Sequence, residues 1–276
     1  MVVPELFAEG LISPGGIAFD DEESLFVAET TRGHIQAISR DGSASPFVNP
    51  GGKPEGIGID DSGDMFVADR GRRHLILVSP DEAIEIYAHQ CKGKRFIGPQ
   101  YLCFSPAGDI VFTDPGNSSI DDPCGSIYSA DLEGETSQLA TGLAGPAGLV
   151  VSDDAGSLFV AEASTNRILC FAITDEGGLE EMEIFLQFED GAGLGSMLFD
   201  TEGMLYVGRT GVGLTLADPE GKIVEEIALP GPEPTGMTFS GLDFDQLFIA
   251  EAQSGAIYCL QTRHPGQRPF VGPRSI

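Results

Sequence analysis

The sequence predicts an all-β chain, one six-bladed β-propeller of four-stranded antiparallel blades whose ring is closed by its own N-terminal strand. Three observations carry this. A short motif that opens on Pro or Leu and runs into alternating apolar residues recurs six times, at intervals of about 40 to 48 residues, the length of one four-stranded blade. Each copy is followed by a turn rich in Asp, Gly and Ser, then by a short apolar strand that ends on a charged residue. No stretch sustains the 3.6-residue period of an amphipathic helix.

The elements follow in order. First strands begin at Pro14, Pro54, Pro99, Pro146, Leu194 and Pro234. Second strands are Leu25–Glu29, Met65–Asp69, Ile110–Asp114, Leu158–Glu162, Leu205–Arg209 and Leu247–Glu251. Third strands follow, as at His34–Ile38 and Asn166–Phe171, and fourth strands, as at Ser45–Val48 and Glu183–Leu186. Their β-branched and aromatic content and turn punctuation are those of strands. The sixth repeat stops after its third strand, Ala256–Leu260. Pro4–Ala8 matches the missing fourth strand, and pairing the two would leave no exposed sheet edge at the ring's seam. The expected organisation is one propeller over residues 1–260, with residues 3–9 completing the last blade, and a Pro-, Gly- and Arg-rich tail over 261–276.

The chain has 276 residues and a formal net charge of −28, from 15 basic and 43 acidic residues. That balance opposes nucleic-acid binding, which needs Lys and Arg to displace counterions from phosphate, and opposes docking on anionic lipid. No run of eighteen apolar residues suggests a membrane helix, and Met1–Gly10 lacks the features of a secretory signal. The five cysteines, Cys91, Cys103, Cys124, Cys170 and Cys259, show no CxxC spacing, which argues against a disulfide framework or zinc site. The expected location is the cytoplasm.

Because strand direction alternates, residues sort onto two faces. Arg32, Lys53, Arg70, Arg72, Arg73, Lys92, Lys94, Arg95, Arg167 and Arg209 fall on the face where second strands end, the top. The opposite turns are acidic, with Asp20–Glu23, Asp60–Asp61 and Asp153–Asp154. A basic mouth favours an anionic or anion-forming small molecule, whereas Asp in the bottom turns also serves turn chemistry.

The strand endings FVAE and FVAD, and above all Phe112-Thr-Asp-Pro115, resemble the SMP-30/gluconolactonase/LRE-like family, as does Ala217–Lys222 leading into Ile227–Pro230. The likeness spans about residues 10–260, although NHL-type propellers share several blade features. It implies a six-bladed propeller with a central divalent metal, usually calcium, that hydrolyses lactones or organophosphate esters. The family's metal ligands, a Glu, two Asn and an Asp, fall on Gly15, Gln100, Ala147 and Gly195. Calcium takes six to eight oxygens, several of them charged, and Gly15, Ala147 and Gly195 have no side-chain oxygen. The expectation is therefore no cofactor at the family positions, with Ca2+ elsewhere, for instance on the acids ending the second strands, left open.

The same register defines an inner ring of Gly15, Glu55, Gln100, Ala147, Gly195 and Thr235. Glu55 is the candidate general acid or base, since a desolvated carboxyl titrates nearer neutrality; Gln100 and Tyr101 would polarise or position the substrate. Arg209 breaks the acidic ring of second-strand ends, where its planar fork suits an anionic group; a salt bridge to Glu162 or Glu251 is the structural alternative. His89, Thr235 and Asp114 complete the candidate substrate-binding set, and the long loop Asp114–Gly125 is a candidate lid. The leading expectation is a hydrolase of a small lactone, ester or cyclic compound with an altered or metal-independent site. A non-hydrolytic propeller enzyme (lyase, isomerase or strictosidine-synthase-like) and a non-catalytic binding or scaffold propeller stay open.

Overall fold

The computed structural model describes residues 3–271; Met1, Val2 and the last five residues of the tail lie outside the described residues. Six four-stranded antiparallel sheets stand around a central channel. Blade one is Pro14–Phe19, Leu25–Glu29, His34–Ile38 and Ala44–Val48. Blade two is Pro54–Ile59, Met65–Asp69, His74–Val78 and Ile84–Ala88, and blade three is Leu102–Phe104, Ile110–Asp114, Gly125–Ala130 and Thr136–Leu143. Blade four comprises Pro146–Val151, Ser157–Glu162, Arg167–Ile173 and Leu179–Gln187. Blade five comprises Leu194–Phe199, Leu205–Arg209, Gly213–Ala217 and Ile223–Ile227. In blade six, Pro234–Ser240, Gln246–Glu251 and Ala256–Gln261 are completed by Glu5–Ala8. That N-terminal strand pairs antiparallel to the last one, with Glu5 opposite Cys259 and Ala8 opposite Ile257.

Apolar packing lies between blades. Leu25 and Val27 pack into the interface with blade six, while Phe26 and Ala28, on the other face of the same strand, pack toward blade two. A strand buried on both faces reads as a continuous apolar run, which is why the second strands stand out in the sequence; every residue of Leu25–Glu29 is buried. The bottom turns use their aspartates as turn chemistry expects. Asp20 Oδ1 accepts the backbone N–H of Glu22 at 3.0 Å and of Ser24 at 2.8 Å, and Asp60 does the same for Ser62 and Asp64.

At the channel, neighbouring first strands meet backbone to backbone. A Cβ on Gly148 would overlap the carbonyl oxygen of Gly195 in the next blade, and one on Gly236 would overlap that of Gly15. This close approach explains the glycine two residues after the opening Pro in blades one, two, four and six. Blade three puts Tyr101 there instead, and its first strand is correspondingly short, Leu102–Phe104.

Residues 262–271 do not trail away. Gly266 bridges Asp200, Gln267 N donates to Phe199 O at 2.9 Å, and Phe270 packs against the clusters on both sides of blade three. The segment thus forms a strap beneath the ring, held because Phe270 finds apolar partners and Gly266 lies flat against the Phe239 ring.

Gly148→Ala should lower stability by about 1–3 kcal/mol, the range for overpacking a filled site, without changing the secondary structure. Urea denaturation followed by circular dichroism measures it; an unchanged midpoint would refute the backbone contact as the limit on pore width.

Candidate functional site

The inner ring places Glu55 and Gln100 side by side at the top mouth. Gln100 Nε2 donates to Glu55 Oε2 at 3.0 Å, and Arg70 Nη1 stands 3.8 Å from Oε1. The Glu55 side chain is only 18% exposed. Burial pushes its carboxyl above the usual carboxylate range, against the opposing pull of the Gln100 hydrogen bond and the Arg70 and Lys53 charges. A desolvated carboxyl whose pKa is raised by burial suits a general base or acid.

Tyr101 crosses the channel below this pair. Its hydroxyl donates to the Thr235 carbonyl of blade six, on the opposite side of the ring, at 3.2 Å. Its backbone N–H donates to Thr113 Oγ1 at 3.2 Å. Burial, and then the Glu55 charge, raise the phenol pKa, so the hydroxyl stays protonated. The Thr235 hydroxyl faces the seam with blade one and donates to Pro14 O at 2.7 Å.

The second-strand ends form a buried ring with a structural duty. Glu29 accepts from Ile12 N at 2.7 Å, Asp69 from Lys53 N and Arg72 N at 2.8 Å, and Glu162 from Ala144 N at 2.8 Å. Glu251 accepts from Glu233 N at 2.8 Å. Asp114 belongs to this set: its carboxylate takes the N–H groups of Ile97, Gly98 and Gly116. Side-chain oxygens thereby satisfy loop amides that would otherwise be buried without partners.

Arg209 is fully buried, 1% exposed, and points away from the mouth. It pairs with Asp190 and with Glu226 at 3.1 Å, donates to Thr215 Oγ1 and lies 4.0 Å over the Phe188 ring. Its charge is matched by acids brought in from the loop and the fourth strand, not by Glu162 or Glu251. His89 is exposed beside His74, with ring centroids 6.0 Å apart, next to the small hairpin Gln90–Cys91 and Lys94–Arg95. The structure thus brings Glu55, Gln100 and Tyr101 together with Thr235, and sets Arg209, His89 and Asp114 apart from them. The candidate lid is tethered, since Ser118 Oγ accepts from Gly145 N at 2.8 Å.

Arg70 is the site residue that candidate selection missed. The positions just after the second strands read Thr30, Arg70, Pro115, Ala163, Thr210 and Ala252. Arg70 alone is charged, and it stands in the blade that carries Glu55.

A calcium ion does not fit the family positions. Gly15, Ala147 and Gly195 present only backbone oxygens, and Gln100, the one family position with a polar side chain, donates to Glu55 of the neighbouring blade. Among the described residues no three His, Cys, Asp or Glu side chains converge as a metal cluster.

The raised Glu55 pKa makes a sign-specific prediction. The fold favours the protonated carboxyl, so this contribution is complete below the ordinary carboxylate pKa and is lost as pH rises through the raised value. Glu55→Gln should match the parent protein's urea midpoint at about pH 4 and exceed it at about pH 8. A variant less stable than the parent at the higher pH would contradict the burial argument.

Comparison with known proteins agrees with this architecture. A gluconolactonase of Zymomonas mobilis subsp. mobilis is 28% identical over 181 residues, 59% of this chain and 50% of that protein. The chain spans about half the length of the curated relatives it matches. Among solved structures, the gluconolactonase of Xanthomonas campestris superposes with a TM-score of 0.83 at 22% identity, covering 93% of this chain and 88% of that one. The calcium-binding regucalcin of Agrobacterium tumefaciens superposes at 0.81 with 18% identity, covering 97% and 98%; these two likenesses show the fold alone. Residues 50–253 match the SMP-30/Gluconolactonase/LRE-like region, and the chain belongs to that family.

Proposed function

We propose that the protein hydrolyses a small lactone at the top mouth, with Glu55 as general base and without a metal at the family positions. The observation that carries this reading is the desolvated Glu55 carboxyl held between Gln100 and Arg70, on a chain whose curated relatives include a gluconolactonase. Glu55 takes a proton from water, and the water oxygen bonds to the lactone carbonyl carbon. The ring C–O bond breaks, and the departing oxygen receives the proton back from Glu55, giving the open hydroxy acid. Gln100, whose amide carries a second N–H, donates to the carbonyl oxygen as negative charge grows there. Arg70 and Lys53 attract the carboxylate product. Tyr101 is the floor on which the ring rests, its hydroxyl kept protonated.

Turnover of a panel of sugar lactones at several pH values tests the proposal. The rate should rise with pH through an apparent pKa above the ordinary carboxylate range, and should persist after exhaustive chelation. Glu55→Gln should lower it by roughly two to four orders of magnitude. Full activity in Glu55→Gln would remove Glu55 from the mechanism. The scaffold reading draws on Tyr101, which closes the channel beneath Glu55; a parent protein inert toward the whole panel would select it.

A further inference from the structure

Below Tyr101 the channel opens into a cavity of about 560 Å3, and neither Glu55 nor Gln100 lines it. Tyr101 is its ceiling, the lower parts of first strands are its walls, and strap residues 267–271 lie across its floor. Such a volume is that of a small-molecule site. The wall repeats one register. Counting four residues on from each first-strand opening, the six blades contribute Ala18, Gly58, Cys103, Val150, Leu198 and Thr238. None of the six is charged, and all but Val150 keep part of their surface uncovered although they stand at the centre of the molecule. Leu102 and Phe270 add further apolar surface.

Charge on the lining is confined to the lower entrance, in the bottom turns of blades one and two and in the strap. Most of it is already engaged. Asp20 and Asp60 accept amides of their own turns, Glu23 pairs with Arg40, and Arg268 lies 4.7 Å over the Phe244 ring. Acids and a cation share this entrance, so it favours neither sign. An ion carried past it would leave water for walls whose side chains offer no counter-charge, which is costly. A neutral body instead gains by covering the apolar wall. One polar group waits at the top. Ser196 holds in blade five the position that Tyr101 holds in blade three; it lines the chamber, and its hydroxyl makes no hydrogen bond among the described residues.

We propose that this lower chamber is a second small-molecule site, separate from the Glu55 mouth, that takes a neutral, largely apolar compound with one hydroxyl or carbonyl group. The apolar body covers the ring of Ala18, Leu198 and Thr238 and the Leu102 side chain, and the oxygen bonds to the Ser196 hydroxyl beside Tyr101. Cations and anions of the same shape are both disfavoured, because either would lose its hydration without gaining a partner.

Calorimetric titration of the full chain with 1-naphthalenemethanol, 1-naphthalenemethylamine and 1-naphthoate, alike in shape and different in charge, tests this. The alcohol should bind saturably, and both ions about tenfold more weakly or less. Thr238→Phe, which fills part of the chamber, and Leu198→Gln, which keeps the side chain's size and makes the wall polar, should each weaken the alcohol several-fold. Ser196→Ala should do the same by removing the hydroxyl. Circular dichroism checks that each variant keeps the parent's fold. Glu55→Gln should leave the alcohol's affinity unchanged, which separates this site from the one proposed for lactones. Either ion binding as well as the alcohol, no binding up to the alcohol's solubility limit, or alcohol binding lost in Glu55→Gln and kept in both wall variants would each overturn the proposal.

Discussion

Neighbouring first strands approach one another backbone to backbone at the channel, and that contact sets the dimensions on which the site depends. Gly16, Gly56, Gly148 and Gly236 each lie against a carbonyl of the next blade, closer than any Cβ allows. With the strands this close, one large side chain spans the channel. Blade three supplies it. Tyr101 replaces the glycine, crosses to Thr235, and divides one pore into a polar mouth above and a chamber below. A narrow ring and a single tyrosine thus account for two environments of different charge and depth.

Charge is distributed with the same economy. Five blades end their second strand on a buried acid that binds amides of its own loops, and blade five ends on Arg209. A buried cation with no partner would be strongly destabilising, and here Asp190 and Glu226 answer it. The reversal is therefore compensated by the loop entering blade five and by that blade's fourth strand, away from Glu55. The mouth's cations come from blade two, through Arg70 and Lys53, which act on the carboxyl of Glu55.

The inner ring departs from the pattern that the family resemblance implies. Where relatives by resemblance would present ligand oxygens, this ring presents glycine and alanine at three positions and a hydrogen-bonded Glu–Gln pair at two neighbouring blades. Burial raises the Glu55 carboxyl above the usual carboxylate range, while the Gln100 hydrogen bond and the Arg70 and Lys53 charges oppose that rise.

Much of this was written in the sequence. Second strands were legible because burial on both faces makes a continuous apolar run, and a charged residue closes each one where it meets loop amides. The six openings, and Pro4–Ala8 as the missing strand, followed from repetition, and so did the neighbouring positions of Glu55 and Gln100 on the rim. What only the tertiary structure decided involves contacts that ring closure creates between distant segments. Tyr101 meets Thr235 from the opposite blade, Arg209 finds Asp190 and Glu226 instead of its ring neighbours, and Phe270 folds the tail under the channel. Strand periodicity fixes which way a side chain faces within its own blade; it carries no information about what stands across the pore, because that distance is set by the closing of all six blades together.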